Sequence, residues 1–147
     1  MSIGLAALGL ALPAAAAPAR PYWGRWTVAE DNPVFSSRGR EYKTIDIAPC
    51  GKDFCGVSVA DNGKCGAVLF RFLMKRADGQ SELRGHGKWG PARKNVLIWL
   101  YDSSEAGSND ALELYLGDGY DFGERSENMP KFHANYRKAG AARCTSR

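Results

Sequence analysis

The sequence predicts an all-β fold, a small antiparallel up-and-down β-barrel of about eight strands. Three observations carry that expectation. Apolar residues recur at every second position in most of the apolar runs. Gly, Pro, Asn, Asp and Ser punctuate those runs at nearly regular intervals. The 147 residues, 44% of them hydrophobic, suffice for one domain with a real core and leave no room for a second. A β-sandwich would satisfy the same pattern. Closure into a barrel removes the exposed edges that a sandwich keeps, and eight strands enclose an interior that side chains fill or that holds one small ligand. One or two short helices are compatible with this fold.

Taken in order, Trp23 to Val28 reads as the first strand, and Asp31 to Gly39 as a long polar loop. Glu41 to Ala48 and Phe54 to Ala60 form a hairpin, with Ile45 and Ile47 on one face of the first arm and Val57 and Val59 on one face of the second. Asp61-Asn62-Gly63-Lys64 is a turn, Asn-Gly being a favoured hairpin dipeptide. In Gly66 to Lys75 the residues Val68, Phe70, Phe72 and Met74 share a face. Leu69 and Leu73 blur that alternation and leave a short helix as the competitor. Ala77-Asp78-Gly79 is a turn and Ser81 to His86 a short strand. Lys88 to Asn95 reads as a loop around Pro91, and Val96 to Tyr101 as a continuously apolar central strand with Trp99 in the core. Ser103 to Asn109 is a polar loop. Leu112, Leu114 and Leu116 mark a half-buried strand, and Gly117 to Pro130 is a long polar loop. Phe132, Ala134 and Tyr136 line the last strand, with His133 facing outward.

Residues 1–19 read as a signal peptide: an uncharged run from Ile3 to Leu12, then Pro13 and a string of alanines at a cleavage site. The run is too short to span a bilayer. The mature domain is then 20–147, periplasmic or secreted, with no transmembrane segment. Export makes the four cysteines an even set in an oxidising compartment. Cys50 with Cys55 is the local pairing, which leaves Cys65 with Cys144. Loop entropy assigns about 4–5 kcal/mol to the long bridge and about 2 kcal/mol to the short one. The spacing is not the redox C-x-x-C, and no histidine completes a zinc set.

Gly24-Arg25-Trp26 resembles the Gly-x-Trp opening of lipocalin-like barrels. Ala48-Pro49-Cys50-Gly51 with Cys55-Gly56 is similar to the hairpin of an exported bacterial family designated domain of unknown function 2147, itself lipocalin-like. The resemblance covers the first half of the mature chain. It implies that Gly24 and Trp26 plug one barrel end and that Arg137 packs over the indole. It implies a fold and no activity. Cys65, Cys144 and the Gly117–Pro130 loop depart from that pattern.

The net charge of +4, with both signs scattered, argues against a nucleic-acid groove. Trp89, Arg93 and Lys94, beside Lys88, are the candidate contact for a ligand or partner, Trp and Arg being enriched at binding hot spots. Their charge suits an anionic group such as a lipid headgroup or cell-wall fragment. Asp118, Asp121, Glu124 and Glu127 lie among glycines, but their spacing is not that of an EF-hand and Arg125 sits between them, so no metal is expected. His86 and His133 belong to no catalytic motif, and neither a Gly-x-Ser-x-Gly elbow nor a phosphate loop occurs. The expectation is a monomeric, non-enzymatic protein without a cofactor. It either binds a small apolar or amphipathic ligand in an open barrel, or is filled and meets an envelope component or protein through its surface loops.

Overall fold

The computed structural model describes residues 21–29, 38–73, 80–102, 110–120 and 131–145. The segment read as a signal peptide, Met74, and most of the Gly117–Pro130 loop lie outside them. Eight strands, β1 (Gly24–Val28), β2 (Thr44–Cys50), β3 (Asp53–Val59), β4 (Cys65–Leu73), β5 (Glu82–Trp89), β6 (Ala92–Tyr101), β7 (Ala111–Gly117) and β8 (Phe132–Gly140), each pair antiparallel with the next. β8 returns to β1, and the sheet closes as an up-and-down barrel. A 3₁₀ turn, Gly39–Tyr42, enters β2 where the sequence predicted the start of a strand.

Closure gives each side chain two destinations, and strand parity chooses between them. Inward go Trp26, Ile45, Ile47, Phe54, Phe70, Phe72, Val96, Ile98, Leu112, Leu114 and Tyr136, each at most 2% exposed. Rings fill the interior. Tyr22, Phe54, Phe72 and Phe70 form a column with centroids 5.3–5.9 Å apart toward one end. Tyr42, Trp89 and Phe132 cluster at 5.1–6.3 Å toward the other. Buried hydroxyls find acceptors: Tyr136 donates to the Tyr42 carbonyl at 2.6 Å, and Tyr42 to the Lys88 carbonyl at 2.5 Å. Glycines make the room. A Cβ on Gly56 would lie 2.1 Å from the Phe70 ring, and one on Gly85 2.7 Å from Phe72.

β4 breaks step. Gly56 opposes Phe70 while Val57 opposes Val68, so Leu69 is an extra residue, and it turns inward beside Phe70. That bulge explains the blurred alternation, and β4 is a strand, not a helix. Val68 is thereby turned out.

Parity and pairing correct two expectations, Trp99 in the core and a loop over 88–95, and show which face Val57 and Val59 share. Trp99 stands between inward Ile98 and Leu100, so it faces solvent, 48% exposed, rather than joining the core. Val57 shares its face with Asp46, which is the outer one. Val57 and Val59 are buried there beneath the C-terminal segment, clustered with Cys144 and Val68. Residues 88–95 are not a loop: they carry β5 into β6 through the two-residue turn Gly90-Pro91. Gly90 has φ of 59° while proline fixes its own φ negative, the combination of a type II′ hairpin.

Both disulfides form as the spacing suggested, Cys50–Cys55 across the β2–β3 turn and Cys65–Cys144 between β4 and the C-terminal segment. Beneath that segment Asp46 is fully buried. Its carboxylate accepts two bonds from Arg25 at 2.8 Å and one each from the Arg143 and Cys144 amides at 2.8 Å. Burial alone would raise its pKa. The bonds from Arg25, Cys144 and Arg143 outweigh that and hold the carboxyl below its ordinary value.

Two expectations follow. Gly56→Ala overpacks the Phe70 ring and lowers unfolding free energy by about 1–3 kcal/mol in urea titration. Asp46→Asn leaves donors facing a poorer acceptor and costs about 2–3 kcal/mol at neutral pH. A depressed folded pKa contributes stability above the unfolded value of about 4 and loses it as pH falls through the folded one. The gap between wild type and variant therefore narrows in titrations run in acid.

Candidate functional site: a cationic groove outside the barrel

At the β1 end of the barrel the Gly-x-Trp residues form a plug. Trp26 is wholly buried and its Nε1 donates to the Tyr22 carbonyl at 2.9 Å. The cation over the indole is Lys138, not Arg137. Its Nζ lies 5.2 Å from the ring centroid and donates to the Pro21 carbonyl at 3.0 Å. Parity is the reason: with Tyr136 inward, residue 138 points in and Arg137 points out. Gly24 accommodates the lysine stem, since a Cβ there would sit 2.7 Å from Lys138 Cε. Burial lowers the Lys138 pKa.

The trio Trp89, Arg93 and Lys94 is divided by the same rule. Trp89 packs half-buried against Tyr42 and Phe132 as part of the end plug. Lys94 pairs with Gly87, whose side is inward, and is held by an ion pair to Asp118. The hydrogen bond from Lys94 outweighs the opposing effect of desolvation and keeps the Asp118 carboxyl below its ordinary value. Asp121, Glu124 and Glu127 lie outside the described residues; among those described, no cluster of His, Cys, Asp and Glu could hold a metal.

Arg93 alone of the trio lines the groove that the structure opens between β4 and β5. Those strands pair at Phe70↔Gly87 and Arg71↔His86, and among the described residues nowhere else. As the bulged β4 pulls away, a groove of about 590 Å³ appears on the outer wall. Its apolar floor comes from Val68, Pro91 and Ala92, and its charged rim from Arg71, Lys88 and Arg93, with His86 between. Among the described residues no acidic side chain lines it. Arg71 reaches Asp53 at 3.4 Å. Lys88 and Arg93 have no counter-ion among the described residues, although they are direct cross-strand partners. The register makes them the pair next to the hairpin's closing pair, a non-hydrogen-bonded position where side chains approach closest. Like charges placed so are destabilising. An anion seated between them removes that cost.

The sequence signal for this site was the basic run Lys88, Arg93, Lys94. Nothing short of the β4 bulge could have added Val68 and Arg71 to it. In comparisons with known protein families, curated proteins and solved structures, none matches this chain.

Arg93→Glu turns the Lys88–Arg93 repulsion into an attraction. It should raise the urea midpoint at low salt, by about 0.5 kcal/mol in unfolding free energy, and lose that advantage in high salt.

Proposed function

We propose that this chain is a binding module whose β4–β5 groove takes an amphipathic anion. The acidic head sits between Lys88 and Arg93 and the apolar portion lies along Val68, Pro91 and Ala92. The observation that carries this reading is the cross-strand pair Lys88 and Arg93, without a counter-ion among the described residues, beside an apolar floor. A filled interior, packed by the ring clusters at both ends, favours action through the outer surface over a ligand held on the barrel axis. The role is recognition, not catalysis, carried out as a monomer. The two disulfides suit an oxidising compartment, and no helix among the described residues is long and apolar enough to cross a membrane. Both agree with a periplasmic or secreted protein meeting envelope components. The Gly24-Arg25-Trp26 opening and the Cys50–Cys55 hairpin support kinship with the exported family of unknown function named above.

Calorimetric titration with dodecyl phosphate below its micellar concentration tests the reading, with dodecyl maltoside as the neutral control. The phosphate should bind, with affinity falling as salt rises, and Lys88→Glu/Arg93→Glu should weaken it tenfold or more. Equal binding of both amphiphiles, or an unaffected double variant, would sink the idea.

A further inference from the structure

The wall formed by β6, β7 and β8 carries a second, unrelated feature. Its outward residues fall into rows across the strands. One row runs Arg84, Leu97, Tyr115, His133; the next runs Glu82, Trp99, Glu113, Asn135. Trp99 is 48% exposed, and no described residue hydrogen-bonds to its indole or stacks on it. Tyr101, 37% exposed, donates to Asn135 Oδ1 at 3.3 Å. Tyr115 and His133 stack at 4.1 Å with planes 5° apart, and Glu113 accepts from the Tyr115 hydroxyl at 2.6 Å and bonds His133 Nε2 at 2.7 Å. Aromatic faces and fixed polar groups therefore alternate on one outward surface. Neighbouring outward residues are about 7 Å apart along a strand and about 5 Å apart across strands.

From this arrangement we infer that the β6–β8 wall binds a neutral β-linked pyranose chain, with a sugar ring laid on Trp99 and its hydroxyls on Glu113 and Asn135. The charges decide the class of occupant. Glu113 is met by His133, and Glu82 by Arg84 at 3.2 Å, so the wall is largely self-compensated and gives a charged partner little to answer. Arg137, at the end of a third row with Tyr101 and Ala111, is the exception and lies at the rim. An apolar partner, whether acyl chains or a hydrophobic protein face, would strip water from Glu113, Glu82 and Asn135 and return nothing. A pyranose satisfies both demands. Its C–H face carries the partial positive charge that the negative face of an indole attracts. Its hydroxyls, donors and acceptors at once, replace the displaced water. An exposed Trp in mid-strand is otherwise an aggregation liability on the wall of a barrel.

The probes are cellohexaose and chitohexaose, titrated calorimetrically into the disulfide-intact protein. At least one should bind in the micromolar to millimolar range. Trp99→Ala should stay folded at the titration temperature, as far-UV circular dichroism reads it, and lose tenfold or more in affinity. Trp99→Phe should retain part of it. Lys88→Glu/Arg93→Glu should leave glycan affinity unchanged, which separates this site from the groove. No binding of either hexasaccharide up to millimolar concentration would overturn the inference. So would affinity indifferent to Trp99→Ala, or a Trp99-dependent association with phosphatidylcholine vesicles in place of the sugars.

Discussion

A sheet that closes on itself removes choice. Along each strand of this barrel successive side chains alternate between a core packed with rings and an outer wall. The destination of almost every residue is then set by a single inward neighbour. The interior spends that rule on volume: Phe70 and Phe72 lie where Gly56 and Gly85 present no side chain, and Tyr22 at one end and Tyr42 at the other satisfy their hydroxyls on the backbone carbonyls of Gln80 and Lys88. With the axis occupied by protein, the grooves and open faces of this barrel lie on its outside.

The outer wall is not uniform. Over β2, β3 and β4 it is covered by the C-terminal segment, pinned through Cys144 to Cys65 and through two amides to the buried Asp46 carboxylate. Hydrophobic burial there amounts to a second, smaller core around Val57 and Val59. Where that cover ends, at Val68, the bulged β4 parts from β5 and the cationic groove begins. Beyond it the β6–β8 face stands open with its aromatic side chains. Cover, groove and open wall follow one another around the barrel, so the same closure that seals the core apportions its exterior.

Much of this was legible in the chain itself. The period of two in Leu112, Leu114 and Leu116 and in Phe132, Ala134 and Tyr136 located β7 and β8 with their inward faces. Cysteine spacing foretold both bridges. What escaped did so for physical reasons. The run Val96 to Tyr101 is apolar on both faces, so alternation could not show that Trp99 points out. Choosing Arg137 as the cation over Trp26 ignored the parity that Tyr136 already implied; Lys138 was the consistent choice. Val57 and Val59 look like core because they are buried, but by a segment more than eighty residues away in sequence, joined through Asp46 and Cys144. The groove depends on a one-residue bulge at Leu69, a local shift of register with no turn residue to announce it.

Strand parity sends each side chain to the core or to the wall, and the tryptophans read parity directly. Incorporating 5-fluorotryptophan and assigning each fluorine signal with single Trp→Phe variants gives the solvent accessibility of every indole. Trp26 should be shielded from a soluble paramagnetic probe, Trp99 broadened by it, and Trp89 should fall between. A protected Trp99 together with an accessible Trp26 would mean that the strands are threaded the other way round, and neither the filled core nor the surfaces assigned to it would survive.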